Sequence, residues 1–440
     1  MRGIFTETEF GRPIPEDEHA VSVCLPKYQD NVDYEEGKFK LDIGYPRFVM
    51  HKYASQLCNG KVVFEHLYYA ELCKEYCNVD FESFKYNNTT LFKMKEDTEK
   101  VKSFWQHTGL GISSRAAENI LKTMESIDGS MEIKEKIANY IKSDVNDIYL
   151  FQSGMTAIFM AFLITKGPFV MLGFPYVDTF KVLKKYGNCT FVTSLKELKQ
   201  LESISTIFLE FPSNPLLDLI DLKELQQIAN QKNAIIVLDD TITTFYNADL
   251  TPYCDILVTS LTKSFSGYGN VCAGSLCFSS YSPFKTELKS ILDSKLNSIS
   301  CLHPAESMQL ASNCQDYEER LEKMSINSNL FKNWLKTTSL VYYHPNDMWN
   351  TYCKNSCHLF SIEFPTEQQA IIFYDSLQIN KGPSLGNWCT LVCPYTILAH
   401  YFELEWANSY GVKRHLLRIS IGCENNLIDV FKAAYNKVNL

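Results

Sequence analysis

From residue 148 onward the chain alternates short apolar runs with amphipathic stretches, and this alternation limits the folds open to it. "DIYLFQSGMTAIFMAFLI" reads as a strand, a Ser-Gly turn and a buried helix. "PFVMLGF" and "CTFVT" read as strands on either side of the helix "YVDTFKVLKKYG", and the apolar runs "STIFLEFPSNP" and "NAIIVLDDT" enclose "DLKELQQIANQKN". Apolar strands alternating with helices describe a mostly parallel sheet covered on both faces, hence an α/β fold. In such sheets ligands gather at the carboxyl ends of the strands. Ser153 to Met155, Pro212 to Pro215, Asp239 to Thr241 and Ser260 to Lys263 each follow a predicted strand, so four polar turns meet along one edge.

A chain of 440 residues exceeds the usual size of a single core, so a large α/β domain with a smaller companion is expected. The first hundred or so residues are polar and aromatic, with turn-prone clusters such as "FKYNNTT", and read as an irregular extension or small subdomain without assigned chemistry. "SSRAAENILKTMESI" follows as a helix with Ala117, Ile120, Leu121 and Met124 on one face and Ser114 and Glu118 near its start.

Charge and composition exclude several classes. Forty-two Lys plus Arg against 51 Asp plus Glu leave a net charge of -9, with no dense basic run to track a phosphate backbone, so nucleic acid is not an expected partner. No stretch approaches the roughly 20 apolar residues that span a bilayer, and no membrane partner is expected. The opening "MRGIFTETEFGRPIPEDEHAVSVC" is acidic early and lacks a continuous apolar segment, which points to the cytoplasm rather than secretion. The fifteen cysteines are scattered, many within apolar runs where a reduced thiol behaves as a small hydrophobe. Neither "LCKEYC" nor "YCKNSCH" has the paired spacing of a metal site, and no metal is expected.

"TSLTKSFSG" carries the chemistry: a single lysine, Lys263, among hydroxyl residues and a glycine. A crowded lysine loses its proton near neutral pH and condenses with an aldehyde. Ser260 and Thr262 can donate hydroxyls to a phosphate, and "QSGM" opening a helix offers that phosphate backbone N–H groups and a positive dipole end. These features point to pyridoxal phosphate, whose ring nitrogen needs a carboxylate partner. Asp239, closing "AIIVLD", is placed for that role, with Asp240 as its competitor and Thr241 beside it. Taken singly, each signal has a plainer reading: a solvated loop for the lysine, a helix cap for the aspartate.

The run from "FLEFPSNP" through "IIVLDDT" and "SLTKSFSG" to "VCAGSL" resembles the Cys/Met-metabolism family of pyridoxal-phosphate enzymes, whose motifs E-x-P-S-N-P, V-D-N-T, S-x-T-K-x-x-x-G and V-x-A-G it matches in order and spacing. "QSGMTAI", "FPYVDTFKVLKKYG", "GPSLGNWCTLVCPYTILAHY" and "LLRISIGCE" extend the resemblance over residues 105 to 440, most like the fungal cystathionine γ-synthase branch. The resemblance implies a fold-type-I architecture with an extension and inter-subunit arm over 1–114, a large cofactor-binding domain over 115–300 and a smaller C-terminal domain over 301–440. It implies that Lys263 bonds the cofactor and shuttles protons, that Tyr176 stacks on its ring, and that Asp239 pairs with its nitrogen. Gly154, Met155, Ser260 and Thr262 would hold the phosphate, Asn214 would orient cofactor or substrate, and Ser384 and Arg418 would receive the substrate carboxylate. Without the motif, Arg418 would read as a sheet-edge salt bridge.

The implied reaction joins cysteine to an O-acylhomoserine, with acetyl favoured as the acyl group, to give cystathionine. O-acylhomoserine sulfhydrylase and cystathionine lyase share the same cofactor residues, and a catalytically silent relative is the alternative outside the enzymes. A homo-oligomer, a dimer of dimers, is also implied. Two departures stand out. The Tyr-x-Arg pair that bacterial members bring to the phosphate from an adjacent subunit is missing from "HTGLGISSR", which leaves His107, Ser114 and Arg115 as candidates for that contact. Asp240 replaces the usual asparagine and adds a negative charge near the ring's expected place.

Overall fold

The structure, a computed structural model, describes residues 9–297 and 301–438. At its centre lie seven strands: β4 (Ile148–Phe151), β5 (Phe169–Leu172), β6 (Cys189–Val192), β7 (Thr206–Glu210), β8 (Ile235–Asp239), β9 (Ile256–Thr259) and β10 (Gly274–Phe278). They follow the order β4-β10-β9-β8-β7-β5-β6. All neighbours from β9 to β6 pair in parallel, while β10 runs antiparallel to both β4 and β9. The apolar runs are buried on both faces, as a covered sheet requires. Val170, Ile207, Leu209, Ile236 and Leu238 enter one core, whereas Phe169, Met171, Phe208, Val237 and Val258 enter the other. Successive side chains on a strand point to opposite faces, which produces this division.

The helix Gly154–Ile164 is apolar all round, and every residue but Leu163 is buried. Such a helix needs cover on both sides. The sheet supplies one side; the helix Glu99–Thr108 supplies the other, where Phe104 meets the Phe159 ring edge-on at 5.8 Å. Burying a side chain of this size contributes about 1.5–3 kcal/mol relative to exposure.

A second sheet of five strands has the order β11-β12-β15-β14-β13: β11 (Val341–Tyr343), β12 (Leu359–Glu363), β13 (Asn380–Lys381), β14 (Leu391–Pro394) and β15 (Leu417–Ser420). Its core gathers Phe331, Phe360, Phe373, Ile419 and Phe431.

The N-terminal region is more regular than its composition suggests. It contains helices Tyr28–Glu35, Lys52–Cys58 and Leu67–Cys77, and a small antiparallel sheet of β1 (Val63–Phe64), β2 (Phe81–Tyr86) and β3 (Thr89–Met94). Its buried residues join those of the large sheet, so long-range packing supplies order that local pattern does not show. The helix after it also differs from expectation. Ser113 is its cap, accepting the Ala116 N–H at 3.1 Å, and the helix ends at Lys122 where Thr123 turns left-handed. Met124 therefore leaves the apolar face and is exposed.

Candidate active site

A cavity of about 750 Å³ opens at the carboxyl ends of β7, β8 and β9. Its wall includes Gly154, Met155, Tyr176, Asn214, Asp239, Thr241, Ser260, Lys263 and Arg418, so nine of the residues expected from sequence come together. Strand ends position most of them: Asp239 closes β8, Ser260 follows β9, and Ser153 caps the helix Gly154–Ile164 by accepting the Thr156 N–H at 3.0 Å. The backbone approach is close. A Cβ on Gly154 would lie 2.7 Å from Ser260 Cβ, and one on Gly274 would lie 2.3 Å from Ser153 O, so glycine is needed at both positions.

Lys263 is half-buried, and its Nζ donates to Ser384 Oγ at 3.3 Å while lying 4.6 Å from the centre of the Tyr45 ring. Burial, with the nearby Arg418 and Arg47 charges, lowers its pKa to about 7. Asp239 Oδ1 accepts the Thr241 N–H at 2.9 Å, and Thr241 Oγ1 accepts the Ser260 N–H at 2.8 Å, so one turn holds both groups in place. Burial raises the Asp239 pKa. A carboxylate in that state gains from a cationic partner facing it. Arg418 lies on β15, the middle strand of its sheet, and the edge salt bridge weighed against its functional role is not found. Its guanidinium donates to Asn214 Oδ1 at 3.4 Å, to Pro383 O and to Ser384 O at 3.3 Å, all neutral oxygens. A buried guanidinium with only neutral partners is suited to an incoming carboxylate.

Three expectations need correction. Thr262 is fully buried and does not reach the cavity; its Oγ1 accepts the Ala273 N–H at 2.9 Å and donates to Ala273 O at 3.2 Å. Asp240 turns into the core, where Oδ1 accepts from Thr259. Burial raises its pKa well above the usual carboxylate range, which disfavours the extra negative charge expected near the ring. Of the candidates for the missing phosphate contact, Ser114 sits 3.0 Å from His19 Nδ1 and Arg115 pairs with Glu306 at 3.2 Å, both away from the cavity. Only His107 lines it.

The residues sequence reasoning missed are Tyr45 and Arg47, in "GYPRFV". They form a Tyr-x-Arg pair, displaced far upstream of the stretch where that pair was sought, and both line the cavity of their own chain. Arg47 is 3% exposed. A Cβ on Gly109 would meet Ser153 Oγ at 2.1 Å, Thr156 Oγ1 at 3.2 Å and Arg47 Cδ at 3.3 Å, which sets Arg47 beside the N-terminus of the helix Gly154–Ile164. The spacing was legible in the sequence; the position was not, because the three-stranded sheet and its helices are inserted between it and "QSGM".

These groups fit pyridoxal phosphate. An amine near neutrality can bond its aldehyde, a helix N-terminus with a glycine, a serine hydroxyl and a guanidinium can face its phosphate, and a carboxylate of raised pKa can meet its ring nitrogen.

The chain is similar to known proteins over most of its length. The family model "Cys/Met metabolism PLP-dependent enzyme" matches residues 129–435. A cystathionine gamma-synthase from Saccharomyces cerevisiae is 28% identical over an alignment covering 96% of this chain and 98% of that protein. One from Neurospora crassa is 35% identical over 76% of this chain; the match spans 59% of that protein's length. The fold is shared with the crystal structure of cystathionine gamma synthase from Xanthomonas oryzae pv. oryzae in complex with cystathionine, at a TM-score of 0.63 and 20% identity over 71% of this chain and 86% of that one. It is a fold-type-I architecture, and the family match runs through both the large and the C-terminal sheets. The chain belongs to the Cys/Met metabolism enzymes that depend on pyridoxal 5'-phosphate.

Proposed function

We propose that this protein carries out a γ-replacement in which cysteine displaces the acyloxy group of an O-acylhomoserine, with O-acetylhomoserine as the preferred donor, to form cystathionine. The observation that carries this reading is Lys263, an amine of pKa about 7, sharing one cavity with the carboxylate-free guanidinium of Arg418. Similarity to the Saccharomyces and Neurospora proteins supports the substrate class.

Bound in the cavity, the cofactor supplies an electron sink for negative charge at the substrate Cα. Lys263 and Asp239 would hold its reactive carbon and its ring nitrogen; Gly154, Met155, Ser260 and Arg47 would hold its phosphate, and Tyr176 and Asn214 would flank the ring. Arg418 and Ser384 receive the substrate α-carboxylate. Lys263 Nζ takes the Cα proton and later returns one, a double role suited to an amine populated in both forms near pH 7. In the net reaction the Cγ–O bond breaks, a Cγ–S bond forms, and the thiol proton leaves with the carboxylic acid.

Purified protein supplied with pyridoxal phosphate, O-acetylhomoserine and cysteine is expected to yield cystathionine. Lys263→Ala is expected to yield none while keeping its circular dichroism spectrum. Absence of cystathionine with both O-acetyl- and O-succinylhomoserine, or turnover retained in Lys263→Ala, would overturn the proposal.

A further inference from the structure

Arg47 comes from a loop, yet its guanidinium is among the most buried charges of the cavity. It is held from three directions. Nη1 donates to Gln106 O at 2.5 Å and lies 2.7 Å from Asp178 Oδ2; Nη2 donates to Tyr176 Oη at 2.8 Å. Asp178, 1% exposed, stands in the first turn of the helix Val177–Gly187, where the helix dipole favours a carboxylate. Its other oxygen, Oδ1, lies 2.9 Å from His107 Nδ1, at the end of the helix Glu99–Thr108. The Arg47 N–H at Nε is buried without a hydrogen-bond partner among the described residues. A buried guanidinium with a donor left over calls for an acceptor from outside the chain.

We propose that Asp178, backed by His107, is a positioning residue that clamps Arg47 beside the helix N-terminus, so that loading the cavity with pyridoxal phosphate and anchoring the N-terminal segment are one coupled event. Asp178 stands at the cavity wall with its two oxygens turned to Arg47 and His107. It acts by supplying the counter-charge that lets a loop arginine remain buried, and so by keeping a phosphate-binding cation in place when the cavity is empty. The same clamp fixes Tyr176, whose hydroxyl takes the second Arg47 donor and whose backbone N–H donates to Glu210. Residues 36 to 44, which lead into Arg47, include the exposed Lys38 and Lys40.

The test measures pyridoxal phosphate affinity by absorbance titration in the wild type, Arg47→Ala, Asp178→Asn and the double variant, with thermal melting of the cofactor-free proteins as a check of folding. Each single variant is expected to bind at least about tenfold more weakly, the scale on which breaking a buried charge pair acts. The double variant is expected to bind no more weakly than the weaker single variant, because both substitutions remove one device. Trypsin cleavage after Lys38 or Lys40 is expected to slow when the cofactor is added to the wild type and to be indifferent to it in Asp178→Asn. Losses that multiply in the double variant, cofactor protection retained in Asp178→Asn, or wild-type affinity in Arg47→Ala would each overturn the clamp. Should Asp178→Asn fail to fold, Arg47→Ala and the wild-type protection assay still decide it. Failure of the wild type to take up pyridoxal phosphate would instead remove the reading of the cavity on which the clamp rests.

Discussion

Burial, reinforced by the charges of Arg418 and Arg47 on the same cavity, gives Lys263 its reactivity. An exposed lysine is almost wholly protonated at neutral pH, but with a pKa of about 7 the amine is neutral in a large share of molecules. Neutral amine is the form that attacks an aldehyde, and its population rises with pH through that value. Pyridoxal phosphate uptake by cofactor-free protein is therefore expected to accelerate by about tenfold between pH 6 and 8 and then to level off. An uptake rate that keeps rising above pH 9, read by stopped-flow absorbance, would mean that Lys263 titrates like an ordinary lysine. At Asp240 burial moves the pKa the other way, upward, and again disfavours the charged form: with Oδ2 lacking a hydrogen-bond partner among the described residues, the carboxyl is favoured in its neutral form and can stand in for asparagine.

Among the elements, the helix Gly154–Ile164, the turn after β9 and the start of β10 form a cradle only because their backbones nearly touch. Thr262 belongs to that framework. By tying the Lys263 turn to Ala273, just before β10, it braces the lysine at the cavity wall. Thr262→Val keeps the shape and removes the hydroxyl, leaving the Ala273 N–H unpaired. It is expected to lower stability by about 1–3 kcal/mol with cofactor affinity unchanged within about threefold. Denaturant titration and absorbance titration together check this; a large loss of affinity at unchanged stability would return Thr262 to the phosphate.

For the whole molecule, the question is whether one chain completes its own site. Arg47 reaches the cavity of its own chain here, whereas the family resemblance implies an arginine delivered by an adjacent subunit. We propose that the protein is a homo-oligomer whose phosphate end is nonetheless built within each chain. Mixing Arg47→Ala with Lys263→Ala protein under conditions of subunit exchange is then expected to restore no activity. Recovery of activity, with light scattering confirming mixed oligomers, would show that the arginine crosses between subunits.

The sequence by itself determined the large sheet and the list of groups at its edge. Apolar runs such as "FVML" and "IIVLD" are dictated by burial on both faces, and Lys263, Asp239 and Arg418 stand in motifs whose order survives in the linear chain. The helix end at Lys122, the order within the first hundred residues and the orientations of Thr262 and Asp240 depend on neighbours distant in sequence, which local pattern does not encode. Tertiary structure alone decided that "GYPRFV" belongs to the site. Arg47 is buried there because Asp178, 131 residues away, offers it a counter-charge at 2.7 Å, and such a pairing exists only once the chain has folded.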